Sequence, residues 1–385
     1  MSATAFAPAG LRLDVAPSIA ALDPEPWDAV GTSDDLQATH RFVRACEESG
    51  VERAAYRHVL AWDAAGPAAV ASFSRMEVSL DLLSTGVVRA GIRAARRLRP
   101  GFLRVPIVFG GLPVSFGRSC LRLRPGADAG RILPALHEIA EAFAAESGAR
   151  MVCFKEFEAA ELEGLLPLAA RGYVRARSLP SCRLALGWRD FDGYVAAMRA
   201  GYRRQVRATL RARERERVTV RVCDDWLAEC PRIFALYEQV MDRAPFQLER
   251  LNLAFFQKLA TVLRGGTRAI LIEREDRALA AGVMLFSPRL ATWLLAGIDY
   301  AVNLEAQAYL NLALEVVRLA IGSGAAALEM GQTSYDLKGR LGAAAAPRTI
   351  LLRYRSAVGQ ALLRATSGTL FPAAEVRTRR VFRGG

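Results

Sequence analysis

The tripeptide Ser-Gly-Ala occurs twice, at residues 147–149 and 323–325, in the same setting each time. Before it lies a stretch with helical patterning, Ala129–Glu146 in one case and about Leu304–Ile321 in the other. After it comes a short apolar run, Met151–Phe154 and Ala327–Met330, that reads as a buried strand. Glycine just past a helix end takes the left-handed conformation that closes the last turn. A helix, a glycine stop and a strand used twice in one chain predict two copies of one α/β fold.

The remaining patterning fills in two domains over 385 residues, each long enough to bury its own core. Residues 1–33 read as a leader or an added strand, 34–186 as the first domain, 187–357 as the second and 358–385 as a basic tail. In the first domain a helix is expected over Asp34–Gly50, with strands at Tyr56–Trp62, Ala68–Phe73, Arg104–Phe109 and Cys120–Leu123, and a second helix over Ala159–Arg171. In the second, one long basic helix is expected over Phe191–Arg217. Val218–Cys223 then reads as a strand, followed by helices near Trp226–Asp242 and Leu253–Leu263. A meander of Arg268–Ile272, Leu279–Phe286 and Leu290–Ile298 follows, then a last strand Arg348–Tyr354. The fold class is therefore α/β with a mixed sheet.

No apolar run is long enough to span a bilayer. The longest, Ala278–Gly297, is broken by Ser287, Pro288 and Arg289. The N-terminus does not read as a signal peptide, and six scattered cysteines with no CxxC suit a reducing compartment, so a cytoplasmic location is expected. His40, His58 and His137 fall in no metal-ligand pattern, and no metal is expected. The net charge is +13, and only Lys155, Lys258 and Lys338 are lysines. Arginine, which binds phosphate and carboxylate bidentately, carries the rest, so the excess charge either serves an anionic partner or solvates the surface. Residues 82–100 combine leucine, valine and isoleucine with five arginines. They read as a basic amphipathic helix that either touches an anionic membrane, which would make the protein peripheral to it, or covers the domain.

Three passages in the second half resemble the tandem GNAT acyltransferases, a bacterial group that includes the Fem-type aminoacyltransferases. They are Phe191–Arg207, Ala280–Tyr300 with its following helix, and Gly331-Gln-Thr-Ser-Tyr-Asp-Leu-Lys-Gly-Arg-Leu-Gly342. The last is similar to the group's Gly…Tyr-x-x-Lys-x-x-x-Gly segment. The resemblance implies two tandem GNAT-like domains, with transfer of an acyl group from a CoA thioester or an aminoacyl-tRNA to an amine acceptor. CoA-dependent GNAT enzymes carry a glycine-containing loop before the central helix. The matching stretch here, Asp299–Gln307, has none, and Fem-type members, which take their acyl group from tRNA, also lack the full loop.

Direct acyl transfer needs a proton acceptor, charge for the oxyanion and a proton for the leaving group. Lys338 is the first candidate, as a compact cation beside Gly339. Tyr335 lies three residues away and either protonates a leaving group or packs. Asp299, at a strand end, and Glu329, inside an apolar strand, are candidate bases. Asp336 either binds substrate or caps a helix, and Gln332 and Tyr309 are candidate liners. Arg203, Arg204, Arg207 and Arg211 form a stripe suited either to phosphates or to a salt-bridged surface. Two other functions fit the same sequence: a Fem-type aminoacyl-tRNA-dependent transferase, and a non-catalytic accessory protein binding an anionic ligand or a membrane surface.

Overall fold

The computed structural model describes all residues except 1–2, 5–9, 32–34, 80–90, 92–93, 96–97, 99–103, 115–116, 245–247, 303–306, 372–373, 375 and 384–385. Of the expected amphipathic helix at 82–100, only Gly91, Ala94, Ala95 and Leu98 are described, so that expectation lies outside the described residues.

Fourteen strands join in one sheet. The first half supplies β1 (Ala3–Thr4), β2 (Arg12–Ala16), β3 (Ala55–Asp63), β4 (Gly66–Ser79), β5 (Arg104–Gly110), β6 (Arg122–Leu123), β7 (Met151–Phe157) and β8 (Val174–Ala185). The second supplies β9 (Val218–Cys223), β10 (Thr267–Arg274), β11 (Arg277–Phe286), β12 (Leu290–Ile298), β13 (Ala327–Glu329) and β14 (Ala344–Tyr354). The order is β1-β2-β3-β4-β5-β7-β14-β8-β13-β12-β11-β10-β9, with β6 attached to β4. Each half is an antiparallel meander ending in one parallel pair, β5–β7 and β12–β13.

A parallel pair needs a crossover, and a helix provides it each time. These are α3 (Ala129–Glu146) and α9 (Ala308–Gly322). The glycines expected to stop them, Gly148 and Gly324, have φ of 65° and 75°, a conformation that favours glycine. The repeated tripeptide thus does the same work in both copies. The other helices are α1 (Pro24–Val30), α2 (His40–Glu48), α4 (Leu166–Ala170), α5 (Phe191–Ala197), α6 (Ala200–Arg215), α7 (Cys230–Arg243), α8 (Leu253–Val262), α10 (Tyr335–Arg340) and α11 (Ala357–Leu370).

The two copies exchange their last strands. β8, from the first half, pairs with β13 of the second, while β14, from the second, pairs with β7 of the first. β8 and β14 then pair with each other at the centre, from Arg183↔Ala344 to Val174↔Leu352. Apolar packing also crosses between halves. Trp27, Phe42 and Tyr56 share a core with Trp226, Ile233, Phe255 and Phe256. Two further cores lie under α3 and under α9.

Four sequence expectations change. The helix expected over Phe191–Arg217 is two helices, parted by extended Met198 and Arg199. The cause is tertiary: Met198 bridges to Phe382, and Arg199 N–H donates to Val381 O at 2.8 Å. The helix expected over Ala159–Arg171 is a 3-10 turn, Ala159–Glu161, followed by the short α4. β8 was not foreseen, because Pro180 argues against a central strand. It is accommodated where the β8–β14 register shifts, between Ala346 and Arg348, so the ladder is already interrupted there. Finally, the tail beyond residue 357 contains α11, followed by a segment that packs on the second half.

Strand exchange makes each half incomplete without the other, since an unpaired strand edge and its exposed apolar face are unstable. Residues 1–186 expressed alone will fail to give a folded monomer by circular dichroism and size exclusion. Co-expression with 187–385 will restore a stable one-to-one complex.

Candidate active site

The chain leaves β13 in a way that opens a wedge. β12 pairs with β13 only from Leu290 to Thr292 and then runs on through Trp293–Ile298 without a partner on that side among the described residues. After Glu329 the chain stays instead with β8, through Met330 N–H to Cys182 O at 2.8 Å and Cys182 N–H to Gly331 O at 3.0 Å. Gly331 then turns with φ 75°, and Ser334, with φ 55°, begins α10.

Three side chains fix this turn. Gln332 Nε2 donates to Leu179 O at 2.7 Å, and Tyr335 Oη donates to Pro180 O at 2.9 Å. From α9, Tyr309 Oη donates to Ser334 Oγ at 3.1 Å, its ring tilted against Trp293 at 5.8 Å. Burial pushes both tyrosine hydroxyls up, so neither ionises near neutral pH.

Lys338 projects from the middle of α10 into this cluster. It is 3 % exposed, and its Nζ lies 4.0 Å from where a Cβ on Gly331 would stand. Burial pushes its pKa down to about 8, against the opposing pull of the Cys182 thiol and the Glu329 carboxylate. The C-terminal segment covers α10 from outside. Arg379 and Arg340 pair with Asp336, which therefore anchors this segment rather than capping the helix. The Phe382 ring, tilted against Trp188 at 4.7 Å, fills the space where a side chain at Gly342 (φ 91°) would lie.

Glu329 is fully buried and committed to structure. It accepts from Ser181 Oγ, from Arg183 at 3.1 and 3.2 Å, and from Arg348 at 3.4 Å. Arg348 Nε also donates to Gly117 O at 2.5 Å, and Glu158 pairs with both arginines. This network lies where the exchanged strands meet. Beside it, a cavity of about 410 Å3 is lined by Arg118, Arg122, Arg183, Arg289, Glu156, Glu158 and Glu161.

Lys338, Tyr335, Gln332 and Tyr309 are thus brought together, with Glu329 on the adjoining strand. Asp299 is not with them. It lies seven residues beyond the β12 residue that faces Glu329, about 23 Å along a strand. There it pairs with Arg277 and accepts Ala301 N–H at 3.0 Å. Arg203 caps the end of α5 through Ala196 O and Met198 O, whereas Arg204 and Arg207 are exposed. Residues missed by the sequence reading are Cys182, Ser181, Arg183 and Arg348. Their one signal was the alternation of arginine with apolar residues in 174–185. Among the described residues no group of carboxylates, cysteines and histidines forms a metal site, and no helix is long and apolar enough to cross a membrane.

The fold is that of GNAT domains. Residues 196–339, which include Lys338, match the family model described as an acetyltransferase (GNAT) domain. Solved structures share the fold over nearly the whole chain. FemX is 12 % identical, covering 90 % of this chain and 98 % of its own, with a TM-score of 0.57. A conserved protein of unknown function from Bacteroides thetaiotaomicron is 10 % identical over 88 % and 98 %, with a TM-score of 0.54. L-PGS from Bacillus licheniformis is 13 % identical over 90 % and 97 %, with a TM-score of 0.50. No curated protein matches the chain. The architecture is a tandem GNAT fold, and the wedge lies in its second copy.

Truncating one partner of a buried, hydrogen-bonded charge leaves the other uncompensated. Arg348→Met will therefore lower unfolding stability by about 3–5 kcal/mol, read from urea denaturation.

Proposed function

We propose that this protein transfers an acyl group to an amine by direct attack in the wedge between β12 and the Gly331–Lys338 turn, without a covalent enzyme intermediate. The observation that carries this reading is the buried Lys338, whose ammonium lies beside the Gly331 turn at the end of β13. A positive charge held out of water acts strongly on charge that develops beside it.

The acceptor amine attacks the acyl carbonyl carbon, and the carbonyl oxygen becomes an oxyanion opposite the Lys338 ammonium. As the bond to the leaving group breaks, Lys338 passes it a proton and recovers one from the ammonium of the tetrahedral adduct. A pKa near 8 suits a group that must both give and take a proton near neutrality. Tyr335, Tyr309 and Gln332 hold the turn in place. Glu329 and Asp299 already accept from arginines, so neither is assigned as the base.

The donor is an acyl-CoA or an aminoacyl-tRNA, and one feature favours the tRNA. In a CoA-dependent GNAT domain the pyrophosphate sits at the N-terminus of the helix that follows the wedge strand. Here that helix is α9. Its first turn is approached by Thr209 of α6, whose Oγ1 donates to Gln307 Oε1 at 2.7 Å. Gln307 itself has φ 46°, and residues 299–307 lack glycine. Arg204, Arg207 and Arg211, exposed on α6, are placed to meet the phosphates of a larger carrier.

Lys338→Met will lower kcat about 10²–10³-fold with little change in KM, measured with both acyl-CoA and aminoacyl-tRNA donors. Its stability will stay close to that of the wild type, because the desolvation cost of a buried charge is removed together with its attraction to Glu329. The ammonium form is required and is present below the folded-state pKa. The wild-type rate will therefore fall as pH rises through about 8. Full activity in Lys338→Met with either donor refutes the assignment.

A further inference from the structure

The two halves align on their Ser-Gly-Ala stops, and the alignment places Met151 opposite Ala327, the first residues of β7 and β13. It also places Lys155 opposite Gly331. A side chain at Gly331 would point directly at Lys338, whose Nζ lies 4.0 Å from the Cβ position. Each half thus brings an ammonium to the end of its crossover strand. The first half carries it on the strand itself, whereas the second carries it on the helix that follows.

Lys155 is 4 % exposed, and its Nζ has no hydrogen-bond partner among the described residues. Its neighbours do not neutralise it. The Phe109 ring lies 5.0 Å away, the Cys120 and Cys153 thiols are close, and its Cε packs against the bare face of Gly111. The next residue, Glu156, has φ 72°, and its carboxylate accepts Gly117 N–H at 3.1 Å. An ammonium held out of water without a counter-charge costs several kcal/mol, which a bound anion offsets. Ser119 and Glu156, the sequence neighbours of Cys120 and Lys155, line the 410 Å3 cavity between the halves, so Lys155 lies one residue behind its wall.

We infer that Lys155 marks a second ligand site, in the first half and separate from Lys338, that takes an oxyanion: a carboxylate or a phosphate group. The inference does not depend on the reaction proposed for the second half.

The scarcity of lysine gives a clean test. Protein labelled at the lysine Cε carbons shows three signals, for Lys155, Lys258 and Lys338. Lys155→Met assigns the first. Should that variant fail to fold, Lys258→Arg and Lys338→Met assign it by elimination. Inorganic phosphate and acetate are then titrated separately into the full chain. The expected result is a saturable displacement of the Lys155 signal by at least one anion, in the wild type and equally in Lys338→Met. Response to phosphate alone, or to acetate alone, identifies the class. A Lys155 signal unmoved by both anions overturns the inference, as does a response that disappears in Lys338→Met.

Discussion

The structure depends on one buried carboxylate. Glu329 ends a strand of three residues, and among the described residues that strand is the only link in the sheet between β8 and β12. Three residues of ladder cannot by themselves fix a register that two domains share. Arg183 faces Glu329 across the β8 side, and Arg348 reaches it from β14, so both exchanged strands are keyed to one point. A slip of one residue in either strand would turn its arginine to the opposite face and strand the carboxylate in the core. Such a network is costly to desolvate and adds little net stability. What it contributes here is specificity: only one alignment of the four central strands satisfies every charge.

That alignment sets the chemistry. Because β8 holds the chain after Glu329, β12 is left to diverge, and the space between them is the wedge. The turn bearing Lys338 is then stapled to Leu179 and Pro180 of the same strand. A strand from the first half therefore positions the Lys338 turn of the second, which explains why the two copies cannot be read as independent modules. The C-terminal segment adds a cover. Val381 and Phe382 pack beside α10, and the Met198 bridge ties this cover to the start of α6.

How much of this the sequence disclosed depended on whether the cause was local. The meander β10–β12, α3 and its glycine stop follow from periodicity and capping, and they were legible. The cluster at Gly331–Lys338 was legible through its glycines and its rare lysine. β8 was not, because its arginines at 175, 177 and 183 look like a solvated surface until their partners arrive from elsewhere in the chain. Glu329 had the same problem in reverse: a lone carboxylate in an apolar strand reads as outward-facing unless Arg183 and Arg348 are known to meet it. Asp299 seemed available at a strand end, and only the fold shows Arg277 on the neighbouring strand already holding it. The break at Met198 has no local signal, since its cause lies at Phe382.

The repeated fold also explains why two buried lysines are tolerated, one in each half. Both sit where a crossover strand ends, a place that the fold keeps rigid through the parallel pair on one side and an exchanged strand on the other. A buried charge can persist only where its surroundings cannot relax to solvate or expel it. Lys338 is held by α10 between β8 and the C-terminal segment, while Lys155 is held by the strand itself against Phe109 and Gly111. If the copies once shared a common sequence, a single lysine would have sat at equivalent positions in both. Here the positions differ: Lys155 aligns with Gly331, and the second lysine stands on the helix that follows.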